Sequence, residues 1–270
     1  MYGMRSTDKV RPKKSLGQHF LHDQQIARRI VDSLLTGDGN TPTLEIGPGM
    51  GVLTKYLIER KELDLHVIEI DRDSIAYLKQ HFPTLTGRIV EGDVLETDLA
   101  GIFPGHFSII GNFPYNISSQ IFFRVLERRD RVDQVVCMLQ KEVADRLAAS
   151  HGSKTYGILS VLLQAYFRIT YLFKVPPGVF TPPPKVMSAV IRLERNNVER
   201  LACDEVLFVR VVKQAFNTRR KTLRNALKIL NLPAEISTLE IMDKRAEQLS
   251  VEEFISLTLL IEQRRGGAAG

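Results

Sequence analysis

Short apolar runs that end in glycine-bearing or acidic turns alternate with helical patterns through the first half of the chain. That alternation constrains the fold more than any other property of the sequence. The runs lie at 43–46, 65–70, 87–91, 107–110 and 134–139. Helical periodicity follows the glycine turn to residue 59 and recurs at 74–80, 118–126 and 141–149. Strands alternating with helices predict an α/β fold whose largely parallel sheet is covered on both faces. A further helix is expected at 157–166, and the run 186–193 alternates as an antiparallel edge hairpin would.

After residue 197 the pattern turns helical. Phe208, Val211, Val212, Ala215 and Phe216 make one apolar stripe, and Leu223, Ala226, Leu227 and Leu230 another. Ser250 and Glu253 have capping-box spacing ahead of a last helix. The expected domains are 1–197, an α/β unit with a basic N-terminal arm (Arg5, Lys9, Arg11, Lys13, Lys14), and 198–265, a small all-helical unit. A disordered tail is expected at 266–270. A chain of 270 residues with 44% hydrophobic content can bury both cores. No apolar run reaches the length of a membrane span. Cys137 and Cys203 are far apart, which fits neither a disulfide framework nor a zinc site and makes a reducing cytoplasm the expected compartment.

The net charge of +6 permits a polyanionic partner. Its distribution is more telling. Between 206 and 230 stand Arg210, Lys213, Arg219, Arg220, Lys221, Arg224 and Lys228 without one acid. Ordinary solvent faces intersperse both signs, so this stripe reads as a phosphate-facing surface centred on Arg219, Arg220, Lys221 and Arg224.

The chemistry is expected where the strands end, because open α/β sheets bind ligands at the carboxyl ends of their parallel strands. After the first run comes Glu45-Ile46-Gly47-Pro48-Gly49-Met50-Gly51, where glycines permit a sharp turn and close ligand approach. Its spacing is G-x-G-x-G, with Val52 where a dinucleotide fingerprint has its third glycine. After the second run, Glu69 can accept hydrogen bonds from ribose hydroxyls. After the third, Asp93 can accept from an adenine amino group. After the fourth stands Asn112-Phe113-Pro114-Tyr115. An amide oxygen and a backbone carbonyl there can both accept from an exocyclic amine, and a tyrosine can stack on its base. Phe180, enclosed by Pro176, Pro177, Pro182, Pro183 and Pro184, is a second stacking candidate on a stiff loop. A nicotinamide-dependent oxidoreductase could use the same fold, and binding of a nicotinamide dinucleotide would favour it. An RNA-binding scaffold without chemistry would not need the Asn112 tetrad. The histidines have no metal-ligand spacing, and neither a nucleophile elbow nor a phosphate-loop lysine is present, so no metal site is expected.

Taken in order, these motifs resemble those of the S-adenosylmethionine-dependent adenine N6-methyltransferases. More narrowly, the chain resembles the bacterial small-subunit (16S) rRNA adenine N6-dimethyltransferase family. The resemblance runs through SLGQHFL (15–21), EIGPGMG (45–51), VIEIDRD (67–73), EGDVLETD (91–98), GNFPYNISS (111–119), MLQKEVADRL (138–147), YGILSVL (156–162) and VFTPPPKVMSAV (179–190). It implies a Rossmann-like methyltransferase domain binding S-adenosylmethionine, a helical domain that contacts RNA, and a monomer. The implied substrate is two adjacent adenosines in the 3'-terminal hairpin of 16S rRNA, within a 30S-type subunit or its precursor. The implied cofactor contacts are His19, Leu21, Gly47, Gly49, Gly51, Glu69, Asp93 and Asn112. The implied catalytic group is Asn112, Phe113, Pro114, Tyr115 and Phe180. His19 stands where many relatives have Asn, and Phe113 where Leu is common.

Overall fold

Each apolar run of the first half forms a strand, for the reason its composition suggests: strands buried on both faces need near-continuous apolar side chains. The computed structural model describes residues 10–37 and 39–266. In chain order the elements are β1 (Phe20–Leu21), α1 (Gln24–Asp32), β2 (Thr41–Ile46), α2 (Thr54–Leu57), β3 (Leu63–Glu69), α3 (Arg72–His81), β4 (Ile89–Glu91), α4 (Leu99–Ile102), β5 (Phe107–Asn112), α5 (Ser118–Glu127), β6 (Val132–Gln140), α6 (Lys141–Leu147), α7 (Ile158–Gln164), β7 (Phe167–Val175), β8 (Phe180–Thr181), β9 (Ser188–Arg195), α8 (Glu205–Asn217), α9 (Leu223–Ala226), α10 (Ala234–Ser237) and α11 (Val251–Gly266).

The main sheet has the order β4-β3-β2-β5-β6-β9-β7. Strands β2 to β6 pair in parallel, and β9 joins β6 antiparallel. The order reverses beside β2, between β3 and β5, which places a ligand crevice at the ends of β2, β3 and β5. The run expected in an edge hairpin, β9, is the inner of the two last strands, with β7 on its outer side. Its residues Ser188, Ala189, Val190 and Ile191 are accordingly all buried. A separate ribbon pairs β1 with β8, matching Phe20 with Thr181 and Leu21 with Phe180.

Two compact units result, and neither is a simple stretch of sequence. The first unit runs to Ala144 and resumes at Thr170–Arg195; the second comprises Asp145–Ile169 and the chain from Asn196. The single boundary expected at 197 therefore leaves 145–169 on the wrong side. The reason lies in α7, whose residues Leu159, Ser160, Val161, Leu162 and Leu163 are all buried. It packs on α8 and α11, and those two helices pack on each other. Both expected stripes are buried here, from Phe208 to Phe216 and from Leu223 to Leu230. The capping box forms reciprocally: the Glu253 N–H donates to Ser250 Oγ at 3.2 Å, and the Ser250 N–H donates to Glu253 Oε2 at 2.8 Å. Arg5 and Lys9 of the basic arm lie outside the described residues, as does the tail beyond Gly266. Gly266 itself ends α11.

Candidate active site

The expected strand-end groups converge on one cavity of about 250 Å³ in the first unit. Gly47, Gly49, Glu69, Asp93, Asn112, Phe113, Pro114, Tyr115 and His19 line it, with Ile70 and residues 16–18 beside them. A second cavity of about 320 Å³ shares Phe20, Gly47 and Asn112 with the first and adds Leu21, Glu45 and Gly51. Together they fall in the range of about 300–1,000 Å³ usual for small-molecule sites.

The glycine turn is shaped by its neighbours as well as by any ligand. Gly47, Gly49 and Gly51 all have positive φ, at 65°, 55° and 75°. A Cβ on Gly47 would meet Pro114 Cδ at 3.9 Å and the Asn112 carbonyl at 4.0 Å, ordinary van der Waals contacts, so its positive φ rather than crowding calls for glycine. A Cβ on Gly51 would stand 2.4 Å from Phe82, so this glycine serves packing against that ring. Gly49 is similarly close to Phe20, at 2.9 Å, while its N–H donates to Glu69 Oε2 at 3.0 Å. Glu69 Oε1 accepts from the N–H groups of Ile70 and Asp71, both at 2.9 Å. Burial raises the Glu69 pKa, and these three backbone donors work against the rise. The side chain is thereby fixed in place with one lone pair, on Oε2, left for a hydroxyl donor. Asp93 is held by the Leu95 N–H on Oδ1 at 2.8 Å.

Asn112 is the decisive group. Its Nδ2 donates to the His19 carbonyl at 3.0 Å. Its Oδ1 is buried and meets no donor among the described residues. A buried acceptor without a partner is costly, which makes this oxygen a docking point for a donor that arrives with a ligand. Phe113 lines the cavity although it is 1% exposed, with its ring packed near Phe122. The Tyr115 hydroxyl pairs with Ser188 Oγ at 2.5 Å, and burial raises the Tyr115 pKa.

Two expected contacts differ in the structure. Phe180 is 2% exposed and belongs to the apolar core with Leu21, Val175 and Val190, because the β1–β8 pairing turns it inward. It offers no stacking face to the cavity. The ring beside Tyr115 is that of His19, with centroids 5.3 Å apart and planes at 26°. A base needs about 3.5 Å on each face, so none fits between these two rings as they stand. His19 Nδ1 lies 2.8 Å from the Pro182 carbonyl, which can only accept; Nδ1 therefore carries the proton. Leu21 likewise is core and touches only the second cavity.

The basic stripe is also less uniform than its sequence. Residues 206–230 are not one helix: α8 ends at Asn217, and Arg219, Arg220 and Lys221 occupy the turn before α9. Arg219 donates to the carbonyls of Lys154 and Tyr156, both at 2.8 Å. Arg224 pairs with Asp243 at 2.6 Å and bonds the Ser237 carbonyl. Two of the four expected RNA contacts are thus engaged within the second unit, and Arg220 and Lys221 are exposed. Three supporting residues have no distinct role that the sequence alone reveals: Ser188, which holds Tyr115; Asp71, which the N-terminal segment grips; and Glu45, buried behind the glycine turn. Each stands inside a motif, but nothing in a motif tells which member is buried.

The model of the family described as ribosomal RNA adenine dimethylase matches residues 9–263. The chain belongs to the ribosomal RNA adenine dimethylase family. It is 58% identical over 254 residues to the ribosomal RNA small subunit methyltransferase A of Cytophaga hutchinsonii, covering 94% of this chain and 98% of that one. The protein of the same name from Parabacteroides distasonis is 57% identical over 262 residues, covering 97% and 98%. Among solved structures, a dimethyladenosine transferase from Plasmodium falciparum superposes with a TM-score of 0.77 at 26% identity, covering 92% of this chain and 98% of that one. The 23S rRNA methyltransferase ErmE shares the fold, with a TM-score of 0.65 at 23% identity over 88% and 99% of the two chains. The expected fold class, a Rossmann-like methyltransferase domain with a helical C-terminal part, is the one observed.

Proposed function

We propose that this chain dimethylates N6 of two adjacent adenosines in the 3'-terminal hairpin of 16S rRNA, using S-adenosylmethionine, in step with small-subunit maturation. One observation carries the reading: the buried, unpartnered Oδ1 of Asn112 at the end of β5, in a cavity shared with Glu69 and Asp93. Family membership and the names of the relatives support the substrate class. The cavity lining fits the cofactor: Glu69 would accept from a ribose hydroxyl, Asp93 from the adenine amine, and the Gly47 backbone would border the methionine portion. When bound, S-adenosylmethionine supplies a methyl group on a cationic sulfur.

The remaining chemistry falls to the chain. The target adenine must leave its stack to reach the cavity. Asn112 Oδ1 and the Phe113 carbonyl accept the two N6 hydrogens in the first transfer, and one of them accepts the single remaining hydrogen in the second; both draw the amine towards a tetrahedral shape and stabilise positive charge as it develops. Tyr115, braced by Ser188, stacks on the base from the face that His19 leaves free. No strong base is needed, because the methylated ammonium is acidic and gives its proton to water. Family membership supports this reading over a dinucleotide oxidoreductase on the same fold.

Methyl incorporation from labelled S-adenosylmethionine into undermethylated small subunits, followed by mapping of the base, tests the proposal. Two dimethylated adenosines are expected, and Asn112→Ala lowers kcat by about 100-fold or more. Label in another base, or wild-type turnover by Asn112→Ala, overturns it.

A further inference from the structure

One wall of the first cavity is the segment from Leu16 to Phe20, and it is fastened at both ends. Its far end is the β1–β8 ribbon, continued by the His22 N–H to the Val179 carbonyl at 2.9 Å. Its near end is held by charge. The Lys13 ammonium contacts Asp71 and lies 2.8 Å from Asp73 Oδ2. Gln18 Nε2 donates to Asp71 Oδ2 at 3.3 Å, while Gln18 Oε1 accepts from the Lys13 N–H at 2.8 Å. Lys13 and Gln18 therefore grip each other and the same carboxylate. Between them the chain makes one tight turn, closed by Gly17 at φ 63°. A Cβ on Gly17 would stand 2.5 Å from Asn116 Oδ1, so the turn seats directly against the tetrad's flank.

Asp71 is built to hold this load. Its side chain is fully buried, caps α3 through the Asp73 N–H, and accepts from Ser74 Oγ at 3.0 Å. Burial opposes its charge, but Lys13, Gln18, Ser74 and the Asp73 N–H outweigh burial and keep the carboxyl below its ordinary pKa. Its own N–H donates to Glu69. One residue thus links the segment, through its carboxylate, to Glu69, through its backbone N–H. The segment in turn supplies the His19 carbonyl that orients Asn112.

We propose that Lys13, Gln18 and Asp71 form a clamp that holds residues 13–19 over the cofactor cavity, and that Lys13 is a positioning residue for both cofactor retention and Asn112. The clamp rests on the S-adenosylmethionine reading of the cavity. Because Lys13 is partly exposed and Asp71 is not, Lys13 can be changed without unfolding the sheet, and salt weakens the contact.

The test uses the full chain and the non-reacting product S-adenosylhomocysteine. Calorimetry gives its dissociation constant, and hydrogen exchange without ligand reports the amides of 16–18. Lys13→Met weakens binding about fivefold and speeds exchange at those amides. Lys13→Arg restores both. Gln18→Leu shifts both in the same direction by less. Lys14→Met, which removes the same charge from an exposed neighbour, changes neither. Wild-type binding and exchange in Lys13→Met overturn the clamp, as do equal effects from Lys14→Met. Failure of the wild-type chain to bind S-adenosylhomocysteine overturns the cofactor reading and the clamp with it.

Discussion

At the scale of single residues, Glu45 is the group whose environment departs most from its appearance in the sequence. Its carboxyl is 1% exposed and accepts from Thr54 Oγ1 at 2.6 Å. Burial pushes its pKa up to about 8; the Thr54 bond opposes the rise and the Glu69 charge adds to it. Below 4.5 folded and unfolded chains are both protonated here. Between 4.5 and 8 the folded chain holds one more proton, so this residue makes stability fall as pH rises through that window. Urea unfolding at several pH values checks this: Glu45→Gln flattens the decline relative to wild type, and parallel curves would contradict it. Asn112 was legible because a polar side chain at a strand's carboxyl end has few purposes. Glu45 and Phe180 were not legible in the same way, because their roles depend on which side of a turn faces the core. Proline brackets around Phe180 showed a stiff loop but not its direction; only the pairing of Leu21 with Phe180 sets that.

At the scale of elements, the glycine turn between β2 and α2 joins backbone constraint to packing. Gly51 at φ 75° would place an alanine methyl 2.4 Å from Phe82. The left-handed backbone costs about 1–2 kcal/mol for a residue with a Cβ, and the clash adds to that. Gly51→Ala is therefore expected to lose about 2–4 kcal/mol in denaturant unfolding. Adding Phe82→Leu recovers the clash but not the backbone cost, so the two changes are non-additive; strict additivity would refute the contact argument. The turn's spacing was readable and its ligand-facing role followed from the strand before it. Its dependence on Phe20 and Phe82 was hidden, since those rings come from distant positions. The central strands were similarly plain from their short, mostly apolar runs, although Glu45 and His66 interrupt two of them. β7 and α1 carry Arg168, Lys174, Arg28 and Arg29, and their mixed polarity blurred both periods.

At the scale of the whole chain, a linear reading placed one boundary where the backbone crosses between units more than once. Composition shifts mark boundaries only when a unit is continuous, and α7 joins α8 and α11 through burial that no composition window reports. The same scale governs RNA affinity. Charge in the second unit divides by function: Arg224 is tied to Asp243 and Ser237, whereas Arg220 and Lys221 are exposed on the turn after α8. Only a cation that exchanges counterions for phosphates contributes to the salt dependence of binding. Arg220→Glu combined with Lys221→Glu is expected to weaken RNA binding and reduce the slope of log affinity against log salt by roughly 0.7–0.9 for each phosphate that is no longer neutralised. Arg224→Ala acts differently: it leaves that slope unchanged and lowers stability by about 1 kcal/mol, because its partners are protein groups. Filter binding across a salt series, with melting of each variant, separates the two effects. A slope that falls with Arg224→Ala and holds in the double variant would reverse the assignment and move the RNA surface towards the Asp243 side of the unit.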